Sequence, residues 1–472
     1  MNIIPLSILN LFKKLFGLRR ALFFEARAEV AASGPLPRVY ARSEHNISRS
    51  MISENALKVL YRLRQSGYQA YLVGGCVRDL LLGREPKDFD VVTDAHPDEV
   101  RAVFRNCRLI GRRFRLAHVH FGSEIIEVAT FRALTHGDED DRLTGGGGRI
   151  LRDNVYGTIE EDAWRRDFAV NALYYNIKDF SVVDYVGGMD DHRAGVLRLI
   201  GDPETRYRED PVRMLRAIRF AVKLGFTLHR SCSELIPGLA YLLEEIPPAR
   251  LHEEIIKLFL GAYAVQTFEQ LRHYHLFGAL FPATERCLAQ ESEGFPLVFL
   301  IKALESTDRR LQEGKSVTPY FLFAALLWEP VRVKAGRLIA SGVDELPAFQ
   351  SASAEVVTRQ IQRTAIPRAI SQPMREIWLL QPRFERMKGS RPFRLLTHPW
   401  FRAAYDFLVL RAEAGEADAA VATWWTLFQT AGEQQKDMAR DGLNYRQAGK
   451  GVRTRRRRTG RSGKQVKSTQ DE

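Results

Sequence analysis

Residues 71–94 read YLVGGCVRDLLLGREPKDFDVVTD, and no other stretch constrains the fold as much. An apolar run ends at Gly74-Gly75. A helical pattern then runs from Val77 to Leu82 and closes at Gly83. A second apolar run, Phe89–Val92, carries Asp88 and Asp90. Strand, glycine turn, helix and strand in this order predict an α/β unit. In a strand, residues i and i+2 point to the same face, with Cα atoms about 6.6 Å apart. Two carboxylates so placed repel each other and are costly beside a core. Divalent cations relieve both costs, and a carboxylate pair holding two of them suits phosphoryl and nucleotidyl transfer. The plainer reading is that one aspartate ends the strand and the other faces water.

The neighbourhood adds candidates. Gly74 and Gly75 precede a helix, where backbone N–H groups can approach a phosphate. Arg78 could reach a phosphate oxygen or pair with Asp79 or Asp88. In EIIEVATFR, Glu127 shares a strand face with Ile125 and Ala129 and is a candidate third acid. Its rival is Asp167 in WRRDFAVNALYY, where Arg165 and Arg166 stand ready for a triphosphate. Asp167 could equally cap the apolar helix expected over 160–174. Further on, REDPVRMLRAIRF places Asp210 before Pro211 as a helix start. Glu209, Asp210 and Arg213 there offer donors and acceptors for a base edge, and Arg216 follows one turn after Arg213. As helix physics alone, this is a capped amphipathic helix.

With 472 residues, the chain calls for two to four domains. Strand signals continue through residues 116–131 and 181–186, then nearly vanish after Gly201. Helices are expected at 210–224, 250–260, 265–273, 319–327, 354–364 and 401–414. The expected division is 1–50 as amphipathic segment and linker, 51–201 as α/β head, 202–262 as helical neck, 263–440 as helical body and leg, and 441–472 as a disordered basic tail. The net charge is +13, but ten basic residues and no acid lie between Gly442 and Gln470, so about +3 remains elsewhere. Such a tail suits a polyanion such as RNA, an anionic lipid, or solubility alone. Residues 1–20 form a basic amphipathic pattern that fits a membrane interface or packing on the body. No apolar run is long enough to span a bilayer. Four scattered cysteines support neither a zinc site nor a disulfide framework, and a cytoplasmic location is expected. Gly145–Gly148 lacks the GK[ST] of a P-loop, and no His-Asp dipeptide marks a phosphohydrolase.

GGCVRD, DFD, RRDFAVNALYY, DYVGGMDD and REDPVRMLRAIRFA, in this order, resemble the superfamily of class II tRNA nucleotidyltransferases and bacterial poly(A) polymerases. The resemblance is strongest over residues 68–260. LIGRRFRLAHV at 109–119, LRHYHLFGALFP and HPWFRAAYDFLVLRAE are similar to the poly(A) polymerase branch. The resemblance implies a DNA polymerase beta-like head with a small mixed sheet, then helical neck, body and leg. It implies Mg²⁺ (or Mn²⁺), ATP, and RNA 3′ ends such as mRNA, small RNA and decay intermediates, with RNA-decay proteins as candidate partners. Asp88 and Asp90 match the metal-binding catalytic positions, and Asp167 the third acidic position, with Glu127 its competitor. Gly74, Gly75, Arg78, Asp79, Arg165, Arg166, Glu209, Asp210, Arg213 and Arg216 match nucleotide-facing positions. The alternative is a CCA-adding enzyme, which would complete tRNA ends.

Overall fold

The computed structural model describes residues 37–111, 115–134, 144–145, 149–150, 155–289 and 298–429. The amphipathic segment at 1–20, Gly146–Gly148 and the basic tail lie outside the described residues, as do residues 112–114. Two compact units divide the chain, one ending at Leu280 and the other starting at Phe281.

The first unit is built on an eight-stranded mixed sheet. In chain order its elements are β1 (Arg38–Tyr40), α1 (Glu54–Gln65), β2 (Ala70–Val73), α2 (Gly75–Leu81), β3 (Asp90–Thr93), α3 (Pro97–Val103), β4 (Cys107–Ile110), β5 (Leu116–Phe121), β6 (Glu124–Thr130), α4 (Ile159–Arg165), β7 (Leu173–Asn176) and β8 (Val182–Asp184). The strand order is β1-β8-β7-β2-β3-β6-β5-β4. Within this sheet only β3 and β6 run parallel; the other neighbours are antiparallel.

Alternation along the strands sorts the side chains onto two faces. Leu72, Val91, Ile126, Val128 and Val119 point to the face covered by α1, α2 and α3, where Leu60, Leu63, Val77, Leu80 and Val100 complete the main core. Ser53 starts α1 by accepting the Asn55 N–H at 3.2 Å. Val73, Val92 and Tyr174 point the other way, onto a smaller core with Phe131 and Ala163. Asp90 shares that second face with Val92, so the acidic site belongs to the more thinly covered side of the sheet.

Three expectations need correction. Residues 37–50 are not a linker: β1 pairs with β8, and Tyr40 and Ile47 are buried in the core. The helix expected over 160–174 stops at Arg165, and Leu173–Asn176 is a strand between β2 and β8. An apolar run buried on both faces of a sheet has no period that separates it from a helix. The helix expected at 354–364 is the end of Glu345–Gln360. Pro347 falls in its first turn, where the missing N–H costs nothing.

After the sheet come α5 (Gly188–Ala194), α6 (Pro203–Glu209), α7 (Val212–Leu224) and α8 (Pro248–Phe259). The stripe Leu215, Ile218 and Met214 buries one side of α7, which packs on α8. Helices Ala264–His273 and Leu276–Leu280 also belong to the first unit, whereas the expected division put everything after 262 with the body. The second unit is helical. Phe299–Gln312, Trp328–Ala340 and Phe401–Glu413 enclose Phe299, Trp328 and Phe407.

Candidate active site

Gly74 takes φ +79°, a conformation that suits glycine, at the junction of β2 and α2. A Cβ there would sit 3.7 Å from Arg166 Nη1 and 3.8 Å from Asp90 Oδ2. Bare backbone, a guanidinium and a carboxylate thus converge on one spot.

Asp90 opens β3, opposite Val73 on one side and Glu127 on the other. The strand begins one residue later than the sequence suggested, so Asp88 lies in the bend just before it and is exposed. Asp90 is half-buried, and its carboxyl is pushed up to about 6. Burial is the largest cause; Glu127 and Asp88 add to it, and Arg166 opposes them. Two further carboxylates therefore press on Asp90, and Arg166 is the cation that opposes them there.

That cation is already anchored. Arg166 donates from Nε and Nη2 to Asp162 Oδ2, at 3.1 and 2.9 Å, and from Nε to the Tyr174 hydroxyl at 3.1 Å. Asp162 also accepts the Tyr174 hydroxyl at 2.8 Å. Burial disfavours the charged guanidinium, but Tyr174 and Asp162 outweigh it and raise its pKa above the ordinary value. Nη1 keeps no hydrogen bond among the described residues and faces Gly74. Sequence reasoning missed Asp162 and Tyr174; the i, i+4 spacing of Asp162 and Arg166 was the available signal.

Asp167 has a different setting. It accepts from Arg216 Nε at 2.9 Å and again from Nη2, from the Phe168 N–H at 2.8 Å and from Asn171 Nδ2 at 3.2 Å. Burial would raise its pKa, yet Arg216 and these donors hold it below the ordinary carboxyl value. It precedes a single turn, Ala169–Asn171, whose N-cap is Phe168, and no long helix follows it. Arg78 takes the pairing alternative: only 3% exposed, it donates to Asp79 Oδ1 at 2.9 and 2.7 Å and to Asn171 Oδ1 at 2.7 Å.

The α6–α7 corner carries the remaining candidates. Glu209 accepts from Arg206 and Arg213, at 3.1 and 3.0 Å. Asp210 accepts the Val212 N–H at 3.3 Å and Arg250 Nη2 at 2.7 Å, so it does help to start α7. Arg206 Nη2 reaches the carbonyls of Arg165 and Arg166, at 2.9 and 2.6 Å, and ties this corner to the Arg-Arg-Asp segment. The Glu209 side chain is 45% exposed, whereas that of Arg213 is only 16% exposed and its Nη1 also donates to the Arg206 carbonyl at 2.6 Å.

Among the described residues no group of three His, Cys, Asp or Glu side chains closes a metal cage. A pair of carboxylates with room for substrate oxygens is nonetheless what Mg²⁺-type sites use, and a divalent cation there would relieve the repulsion that Glu127 and Asp88 exert on Asp90.

A carboxylate pair opening a strand beside a glycine turn, on a mixed sheet followed by helices, defines a nucleotidyltransferase. A crystal structure of a tRNA nucleotidyltransferase complexed with a primer tRNA and an incoming ATP analogue shares this fold, at TM-score 0.56 and 23% identity over 80% of this chain and 99% of its own. Residues 70–198 match the family described as Poly A polymerase head domain, 225–288 match Probable RNA and SrmB-binding site of polymerase A, and 341–462 match Polymerase A arginine-rich C-terminus. Poly(A) polymerase I of Salmonella typhi is 52% identical over 88% of this chain and 90% of its own length, and that of Haemophilus influenzae 46% over 89% and 95%. CCA-adding enzymes match about half of the chain. The chain belongs to the bacterial poly(A) polymerase I family.

Proposed function

We propose that Asp88 and Asp90 hold divalent metal, Mg²⁺ with Mn²⁺ as a substitute, and that Glu127 is the third acid. The family's reaction transfers adenylate from ATP to an RNA 3′ end without a template and releases pyrophosphate; this chain is such a polynucleotide adenylyltransferase. The observation that carries the site reading is the register of Asp90 with Glu127 beside Gly74 and Arg166. On this reading Asp167, the third acid the resemblance favours, is held by Arg216, Asn171 and the Phe168 N–H and joins the head to α7.

Each group then has a role. The metal, when bound, neutralises the carboxylates and the α-phosphate and eases ionisation of the RNA 3′-hydroxyl. Gly74 and Gly75 let the phosphates approach the backbone. Arg166, fixed by Asp162 and Tyr174, offers Nη1 to a phosphate oxygen, and attack in line displaces pyrophosphate. No template chooses the base, so Glu209, Asp210 and Arg213 supply the edge that favours adenine. The acceptors are RNA 3′ ends, among them mRNA and decay intermediates.

Primer extension tests this reading. With Mg²⁺, a generic single-stranded RNA and each nucleotide separately, ATP gives long ladders. Asp88→Ala and Asp90→Ala give none while still binding RNA. Arg213→Ala narrows the preference for ATP over CTP by roughly 10-fold, the scale of a base-edge contact of about 1–3 kcal/mol. Extension by Asp90→Ala, or one to three additions confined to tRNA lacking its CCA end, would overturn it.

A further inference from the structure

His118, in the segment LIGRRFRLAHV, stands opposite Glu127 in the β5–β6 ladder. Glu127 stands opposite Asp90 in the β3–β6 ladder. The three therefore form one row across three strands, in register and on one face of the sheet. His118 Nε2 lies 3.3 Å from Glu127 Oε1; the imidazole is 17% exposed and the carboxylate 48%. The half-exposed acid is thus met from its inner side by a ring that its own strand holds in place.

A glutamate has three side-chain torsions, and its exposed carboxylate wanders unless something holds it. Backbone register fixes where Glu127 starts but not where its carboxylate ends. His118 is the group in contact with that carboxylate on the side away from Asp90. An imidazole on a carboxylate that itself faces a metal is the outer-shell arrangement that orients ligands, and losing such a partner typically costs about 10–100-fold in metal affinity or activity.

We infer that His118 is a positioning residue that aims the Glu127 carboxylate at the metal site beside Asp90. The inference rests on the reading of Glu127 as third acid. It gives the strand end of the segment at 109–119 a physical role, because β5 then presents an imidazole to the acid row.

The test compares His118→Leu, His118→Gln and Glu127→Gln in the full chain. Calorimetry measures Mn²⁺ binding in the presence of a non-hydrolysable ATP analogue. Steady-state kinetics supply kcat, the KM for RNA and the half-saturating Mg²⁺ concentration. The expected result is that His118→Leu weakens Mn²⁺ binding about 10-fold and lowers kcat, with the KM for RNA and the melting temperature unchanged. His118→Gln, whose amide N–H can donate to Glu127, recovers most of the loss. Glu127→Gln is at least as impaired as His118→Leu. Mn²⁺ binding lost in Glu127→Gln but within about twofold of the parent in His118→Leu overturns the positioning role and leaves Glu127 as third acid. Binding unchanged in both overturns that reading and this inference with it. A loss in His118→Leu that Gln does not restore, with a lowered melting temperature, makes the histidine a packing residue and also overturns it.

Discussion

Asp90 in the head and Glu416 in the helical unit both titrate well above an ordinary carboxyl, at about 6 and about 7, and burial leads the causes at each. Each also leans on a second acid, Glu127 for Asp90 and Glu329 for Glu416. Their surroundings differ. Glu416 accepts the Trp328 indole N–H at 2.8 Å. Glu329, 1% exposed, accepts two bonds from Arg332, at 3.1 and 2.8 Å. The Arg411 guanidinium lies 4.8 Å above the Trp328 ring and 3.9 Å from Glu416. That cluster carries its own cations and is closed. At Asp90 the partners Asp88 and Glu127 are exposed, and Arg166 is committed to Asp162. Crowded carboxylates and a raised pKa occur in both places, so neither identifies a reactive site alone. Exposure of the partner acids is what sets Asp90 apart.

The largest expected effect separates the two outright. Asp90→Asn abolishes adenylate addition. Glu416→Gln leaves kcat within about twofold, since a near-isosteric change inside a closed cluster removes no group that meets substrate. Primer-extension rates for the two variants decide it. A dead Glu416→Gln enzyme that is still folded would mean that the helical unit also holds a reactive carboxyl.

The next effect is in pH. Only ionised Asp90 can hold a cation, and its carboxyl sits at about 6 before one binds. At low metal concentration kcat/KM therefore falls about tenfold per pH unit below about 6 and levels off above it. Excess Mg²⁺ favours the ionised form and moves the inflection to lower pH. A profile flat down to about pH 5 at limiting Mg²⁺ would remove Asp90 from the metal site.

How much of this was legible in the sequence depends on the distance over which each feature is decided. Helix α1, strand β2 and the glycine turn were readable because caps, period and punctuation are local. Strand β1 has three residues, and it pairs with Val182–Asp184 at the other end of the head; nothing near Arg38 announces that. Resemblance supplied the names of the site residues but not their partners. Asp167 meets Arg216 across 49 positions, and Asp90 meets Glu127 only because β3 and β6 run parallel. The choice between the two candidate acids is thus a matter of strand register, which periodicity within one strand does not encode.

The smallest effect concerns stability and belongs to the closed cluster. The folded-state pKa of Glu416 is raised above its ordinary value of 4.5, to about 7. Between those pH values the folded chain holds a proton that the unfolded chain has released. Stability contributed by this proton is therefore fully present below about 4.5 and is lost as pH rises through about 7. Glutamine imitates the protonated acid: it keeps an oxygen for the Trp328 indole and offers an N–H to Glu329. Glu416→Gln should match the parent at about pH 4 and melt about 2–4 °C higher at about pH 8, the shift expected for about 1 kcal/mol in a unit of this size. Tryptophan fluorescence follows it, because Trp328 touches the substituted group. An equal difference at both pH values would mean that Glu416 does not carry the proton. Asp90 would then be the one carboxyl of this pair whose raised pKa has a consequence, and crowding would after all distinguish the active site.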